Sequence, residues 1–366
     1  MQRVHVLTRG FKSPNGCAFL FPLVVHRRAL ADAGTTVRLF TDAAAPGLED
    51  CDVLFVESRF YSSRWNRKGD AAVLAEIAAL AERTPLAWFD ISDSTGWLQP
   101  QVLPFVRRYY KSQLLRDRSA YLQPHYGNRI WADYYHRQFG VADDEPATPR
   151  VVESPSLLEK LAVSWHSGLA DYSRHGPTRM ALRDRIPLDA LLRFPRSFTP
   201  ADSARPIAMS VRMGISYPRA TVSWQRRRIR EILGSRVATD KLSRGAYLDE
   251  MRRCRLVVSP FGFGEITLKD FEAMLCGAAL LKPDMSHMET WPDLFRTGET
   301  IVTHRWDLAD LEEVVETVLE DTPSLSAVAA AAQSAYRLAL DPSVGAERFC
   351  ARIGAIVDEV MGLAAR

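Results

Sequence analysis

Three charged side chains, Glu265, Lys269 and Glu272, recur at spacings of four and three residues within SPFGFGEITLKDFEAMLCGA, residues 259–278. On a helix that spacing sets them along one face, with Cys276 four positions further on. Gly262 and Gly264 flank Phe263 just before this face, and glycine lets another group approach the backbone closely. Free N–H groups at a helix start attract an anion, and Lys269 in the first turn adds a full positive charge. Glu272, one turn deeper, is placed to accept hydrogen bonds from both hydroxyls of a ribose. A diphosphate at the helix start with a ribose beside it describes a nucleoside diphosphate. The same spacing also suits a glycine-rich turn followed by an exposed, ion-paired helix face, so spacing alone leaves both readings open. Leu268, Phe271, Met274 and Leu275 form the stripe expected to face the core.

The elements that must position these groups alternate. RVHVLTRGF reads as a strand, KSPNGCAF as a loop and LFPLVVHRRALADAG as a helix closed by Gly34. TTVRLFTD and CDVLFVES read as buried strands, DAAVLAEIAALAER as a helix, and PLAWFDISDSTG as a strand entering a polar turn. Residues 100–195 are irregular and rich in aromatics and arginine. Alternation then resumes with PIAMSVR (strand), TVSWQRRRIREILG (helix), RVATD (strand), AYLDEMRRC (helix) and RLVVSPF (strand). The helix LKDFEAMLCG, the strands AALLKPD and ETIVTHRW and the helix DLADLEEVVETVLED follow. Strands alternating with helices predict an α/β fold with parallel sheets. The expected architecture is two Rossmann-like domains facing each other across a cleft, the arrangement called GT-B. The expected bounds are 1–195 for the N-terminal domain, 196–343 for the C-terminal domain, and a helix within 344–366 that packs back on the N-terminal one. Ligands in open α/β sheets sit beyond the carboxyl ends of the strands. That rule gathers PFGFGE, VRMGISYPR, KSPNG and DISDSTG around one cleft.

SPFGFGEITLKDFEAMLCGAALLKPD resembles the donor-binding segment of GT-B glycosyltransferases. It is most similar to bacterial group 1 and CgeB-like enzymes, with a basic residue before the helix glutamate as in exostosin-like ones. The resemblance covers residues 247–320; the N-terminal half matches in architecture and in WFDISDSTG. It implies a cytoplasmic enzyme of glycan biosynthesis that moves a sugar from a nucleotide diphosphate donor, UDP or GDP, to a hydroxyl acceptor. Glu272 would hold the ribose, Lys269 the diphosphate, and the turn Gly262, Phe263, Gly264, Glu265 the sugar phosphate. The two glutamates stand seven positions apart where common retaining group 1 enzymes have eight, so neither the sugar contact of the first nor a retaining outcome is implied. Arg212 would neutralise charge on the leaving diphosphate; Arg219 reads as a solvated arginine. Asn15 and Gly16 would line the site from the N-terminal half. An inverting transferase needs a base there, and Asp93 is the first choice, Asp90 the second, although Asp and Ser are also ordinary turn residues.

The chain is read as lacking the Asp-x-Asp motif of metal-dependent, GT-A-type transferases, so no metal or other cofactor is expected. Cys17, Cys51, Cys254, Cys276 and Cys350 have no metal-ligand spacing and read as reduced thiols, which suits the cytoplasm. The eight histidines are dispersed; His125, His136 and His166 read as structural, and His287 lies on the cleft side. A net charge of +3 argues against a nucleic-acid partner, and the basic runs RRYYKSQLLRDR and WQRRRIR read as solvated helix faces. The N-terminus is strand-like rather than a signal peptide, and no window is apolar enough to span a bilayer; peripheral contact with a membrane stays open. The acceptor is left open among glycan, lipid-linked, protein and small-molecule hydroxyls. The alternatives are a nucleotide-sugar epimerase or hydrolase on the same fold, or a non-catalytic nucleotide-sugar-binding scaffold.

Overall fold

A computed structural model describes residues 1–201, 204–234, 236 and 238–362. Twelve strands are formed among them. β1 (Gln2–Leu7), β2 (Thr35–Phe40), β3 (Val53–Glu57), β4 (Leu86–Asp90), β5 (Arg108–Lys111) and β7 (Leu161–Val163) make one parallel sheet in the order β2-β1-β3-β4-β5-β7. β8 (Ile207–Ser210), β9 (Cys254–Val258), β10 (Ala279–Pro283) and β12 (Val302–His304) make a second parallel sheet in the order β12-β10-β9-β8. β6 (Gln113–Leu115) and β11 (Met288–Thr290) pair antiparallel, so a strand from each half stitches the two together. The expected α/β fold with two Rossmann-like parallel sheets is what the chain forms. The central strands read as unbroken apolar runs because helices cover both faces. β3 and β4 are buried at every position.

Local chemistry explains most element ends. Ser13 caps the helix Pro14–Val25 by accepting from the Gly16 N–H, with Pro14 in the first turn where its missing donor costs nothing. Asn15 and Gly16 therefore belong to a helix start, not to the loop expected there. The helix read through residues 20–34 is two, Pro14–Val25 and Arg27–Asp32, broken at His26 four residues after Pro22. Gly277 takes φ +68° to end the helix Leu268–Cys276.

Three expectations fail. The strand read at 236–240 is absent: the described residues there, 236 and 238–240, are turn and coil. Arg236 reaches out to Glu312 and Glu316 instead; Val237 lies outside the described residues. RRYYKSQLLRDR is not a solvated helix face. It forms β5 and β6, with Tyr109, Tyr110 and Lys111 buried. An Asp-x-Asp spacing does exist, Asp50-Cys51-Asp52. It lies at the N-terminal end of β3, away from the strand ends that bind ligands, and both carboxylates face Arg3.

The helix Val344–Met361 crosses from the second half to the first. Arg352 donates to the Val163 carbonyl, Tyr110 Oη donates to Glu359 at 2.6 Å, and Gln2 Nε2 donates to Asp358 at 3.2 Å. Its own Phe349, Ile353, Ile356, Val357 and Val360 are buried. Residues 363–366 lie outside the described residues. No helix among those described is long and apolar enough to cross a membrane. All five cysteines are free. Ile353→Ala removes a fully buried side chain from this crossing helix and is expected to cost about 2–5 kcal/mol, read as a lower urea midpoint at unchanged slope.

Candidate functional site

The turn after β9 is built to meet the other half of the molecule. Gly262 N–H donates to the Gly264 carbonyl at 2.9 Å, closing the turn on itself. A Cβ on Gly264 would fall 1.8 Å from the Asp93 carbonyl oxygen, so glycine is required here by close approach rather than by an unusual φ. Phe263 projects outward; its carbonyl accepts from Arg129 Nε at 2.7 Å, and its ring meets Tyr217 and the Arg219 guanidinium. Glu265 is fully buried and turns its carboxylate into the N-terminal half. It accepts from Thr95 N at 3.0 Å, Thr95 Oγ1 at 2.7 Å and Ser94 Oγ at 3.2 Å. Burial pushes this carboxyl up, but His287 and the Thr95 donors more than offset it, holding Glu265 below the usual carboxylate range. His287 Nε2 stands 3.8 Å away, longer than a hydrogen bond.

The helix start is not open to an anion in the way its spacing implies. Thr267 and Asp270 form a capping box, with Thr267 N donating to Asp270 Oδ2 at 2.9 Å. Asp270 also accepts from Ser259 Oγ at 2.6 Å and from Lys282 Nζ at 2.8 Å, both members of that ion pair being fully buried. The Thr267-x-x-Asp270 spacing is a capping signature legible in the sequence; its buried partner Lys282 is not. The helix is buried nearly all round from Asp270 to Cys276, with Phe271 stacked against His166 and Tyr172. Leu268, expected in the core, is 42% exposed.

Lys269 sits where the strands end. Its ammonium donates to the carbonyls of Arg212 and Val258, just beyond β8 and at the end of β9. Those bonds occupy two of its three protons. Burial and the nearby Arg226 push its pKa down to about 8. Glu272 is buried and pairs with Arg244 Nη1 at 2.8 Å; burial raises its pKa despite that cation. The Arg212 guanidinium turns away from the turn and clamps Glu250 with bonds of 2.7–3.1 Å. Glu265, Lys269 and Glu272 thus share a helix side by sequence, yet each is engaged by a different part of the fold.

On the N-terminal side, Asn15 Nδ2 donates to the Ile91 carbonyl at 2.7 Å and to Asp93 Oδ1 at 2.8 Å. Asn15, Asp93, Gln113, His166 and Ile266 wall a cavity of about 40 Å³ between the halves. That is room for a water or two and not for a sugar. Gly16 lies behind, its Cα packed toward the Gly10 carbonyl. Asp90 is 1% exposed and accepts from Tyr109 Oη at 2.8 Å, Ser92 Oγ at 2.6 Å and the fully buried Lys111 at 3.2 Å. A carboxylate so enclosed braces the sheet end; both acids of DISDSTG border a larger cavity, and Asp93 borders the small one as well. His166 is buried with Nδ1 accepting from Gly168 N, and burial lowers its pKa to about 4, so it is a neutral structural imidazole.

Residues 210–350 match the family model described as Glycosyl transferase-like. No curated protein matches the sequence significantly. Among solved structures, HepE of Anabaena in complex with UDP-glucose aligns at 12% identity over 97% of this chain and 100% of that one, with a TM-score of 0.43. Sucrose-phosphate synthase of Thermosynechococcus elongatus aligns at 12% identity over the full length of both, with a TM-score of 0.44. A glycosyltransferase of Rickettsia africae aligns at 7% identity over 98% of each chain, with a TM-score of 0.42. At such scores the description of the fold rests on the chain's own sheet order.

Two substitutions separate bracing from chemistry. Lys111→Met leaves Asp90 buried without its cation and is expected to cost about 3–5 kcal/mol in chemical denaturation. Gly264→Ala drives a Cβ into the Asp93 backbone and is expected to force the seam apart, detected as faster amide exchange at Thr95.

Proposed function

We propose that the protein is a glycosyltransferase that moves a sugar from a nucleoside diphosphate donor to a hydroxyl acceptor. The observation that carries this reading is the Lys269 ammonium, held by backbone carbonyls at the carboxyl ends of β8 and β9 within the glycosyl transferase-like segment 210–350. One proton of Lys269 stays available to the donor diphosphate, and Glu272 reaches the ribose by sharing its carboxylate with Arg244. Charge leaving with the diphosphate is met by Lys269, without a metal. Arg212 acts indirectly, through the carbonyl that holds Lys269, because Glu250 takes its guanidinium. Asp93 accepts the acceptor proton. Asn15 fixes one oxygen of Asp93 and leaves the other facing the cavity.

The narrow space between the halves means that donor and acceptor enter with the seam open. Glu265 then re-forms its bonds to Ser94 and Thr95, excluding water from the activated sugar. This makes Glu265 the latch of closure rather than a sugar ligand. The location most consistent with five free thiols is the cytoplasm.

Calorimetry with UDP, GDP, ADP, dTDP and CMP, chelator present, tests the donor site. One diphosphate should bind, and Lys269→Ala and Glu272→Ala should each weaken it by about tenfold or more. No binding, or binding untouched by both changes, sinks the reading. A pH series gives an independent check. Lys269 carries its charge below about pH 8 and loses it above. Affinity for the diphosphate should therefore hold below pH 8 and fall as pH rises beyond it, by up to about tenfold per pH unit. Lys269→Ala should flatten that fall.

A further inference from the structure

A second and larger cavity, of about 420 Å³, opens on the N-terminal side of Asp93 and is walled by Arg59, Trp65, Trp97, Arg129, Arg150 and Arg219. Its cations are strung along aromatic rings. Arg150 Cζ lies 4.7 Å and Arg129 Cζ 5.8 Å from the Trp97 ring centre, and Arg219 Cζ lies 5.4 Å from that of Phe263. The guanidinium bonds of Arg129 and Arg150 run to the carbonyls of Phe263, Gly127 and Leu98, not to carboxylates. Arg129 and Arg219 repel one another: burial first, then the charge of Arg219, pushes the Arg129 pKa down to about 10.

Four arginines stand on the wall against three acids, Asp70, Asp90 and Asp93, and the charges of Glu265, Asp93 and Asp143 act on Arg129 as well. Asp90 is consumed by Lys111, Tyr109 and Ser92. Asp93 is held by Asn15. Asp70 begins the helix Asp70–Arg83, where a carboxylate answers the helix dipole. Guanidiniums that bond only carbonyls keep N–H groups over, so a cavity with four of them clustered on its wall is shaped for a ligand rich in oxygen acceptors and negative charge. Trp65 and Trp97 add the flat apolar faces that a sugar ring packs on.

We propose that this cavity is the acceptor site and that the acceptor is an anionic saccharide, carrying a phosphate or a carboxylate beside the hydroxyl that reacts. The proposal rests on the glycosyltransferase reading and adds the substrate class. The anion lies against the guanidiniums, and the reacting hydroxyl lies at Asp93, which borders both cavities. In the transfer, the hydroxyl proton passes to the Asp93 carboxylate while the hydroxyl oxygen bonds to the anomeric carbon. The bond from that carbon to the donor phosphate breaks, and its electron pair leaves on the diphosphate. Arg59 and Arg150 stand on N-terminal-half segments, and Lys269 is not part of the wall, which separates this anion site from the donor diphosphate.

Glucose 6-phosphate, glucuronate and glucose, titrated against the full chain by tryptophan fluorescence and calorimetry, test the assignment. Both anions should bind at least about tenfold more tightly than glucose, and Arg59→Gln and Arg150→Gln should each weaken the anions by about tenfold. UDP affinity, measured on the same samples, should stay unchanged and so certify that the variants are folded. The relative affinities of glucose 6-phosphate and glucuronate say which anion the site prefers. Equal affinity for glucose and the anions, or no anion binding at all, overturns the proposal. Loss of UDP affinity in the arginine variants also overturns it, because the cavity would then belong to the donor. Anion binding to a wild type that binds no nucleotide upholds the anionic-saccharide cavity but removes its acceptor role together with the glycosyltransferase reading.

Discussion

The carboxylate of Glu265 organises this molecule. It leaves the C-terminal half on a glycine turn and is satisfied by a backbone N–H and two hydroxyls of the N-terminal half. A buried carboxylate without such partners would be several kcal/mol too costly to keep ionised, so these three bonds favour the register in which the two halves close. Gly264 makes the approach sterically feasible, and the Asp93 backbone it touches belongs to the same loop that supplies Ser94 and Thr95. The candidate base, the cavity walls and the donor-side helix are all referenced to this one contact.

Around it the charged groups are divided between bracing and chemistry. Asp90 with Lys111 and Asp270 with Lys282 are enclosed pairs at the carboxyl ends of the two sheets. They fix strand ends and helix starts in low-dielectric surroundings. Lys269 bonds two carbonyls, Asp93 the neutral amide of Asn15, and Glu272 the part-exposed guanidinium of Arg244. Burial and the charge of Arg226 shift Lys269 toward neutrality.

Sequence and structure part company where an ion pair spans a long stretch of chain. Arg212 stands in the expected loop, but Glu250, on a helix 38 residues on, takes its guanidinium. Asp90 and Asp93 look alike in WFDISDSTG, and only the depth of the sheet end distinguishes the enclosed one from the accessible one. The arginines of the large cavity come from four separated segments, and one of them, Arg219, reads in isolation as solvated. The Thr267–Asp270 cap, by contrast, joins residues three positions apart.

What the sequence by itself determined is local: the alternation of strands and helices, hence two parallel sheets, and the glycine turn and charged helix side that follow β9. Periodicity and capping depend on neighbours within a few residues, and those are written in order along the chain. What only the tertiary structure decided is which charges are spent on one another. Glu265 bonds Ser94 and Thr95, Asp90 pairs with Lys111 and Arg212 with Glu250, while Lys269 bonds two backbone carbonyls. Burial and pairing set those outcomes, and both depend on residues tens to hundreds of positions away.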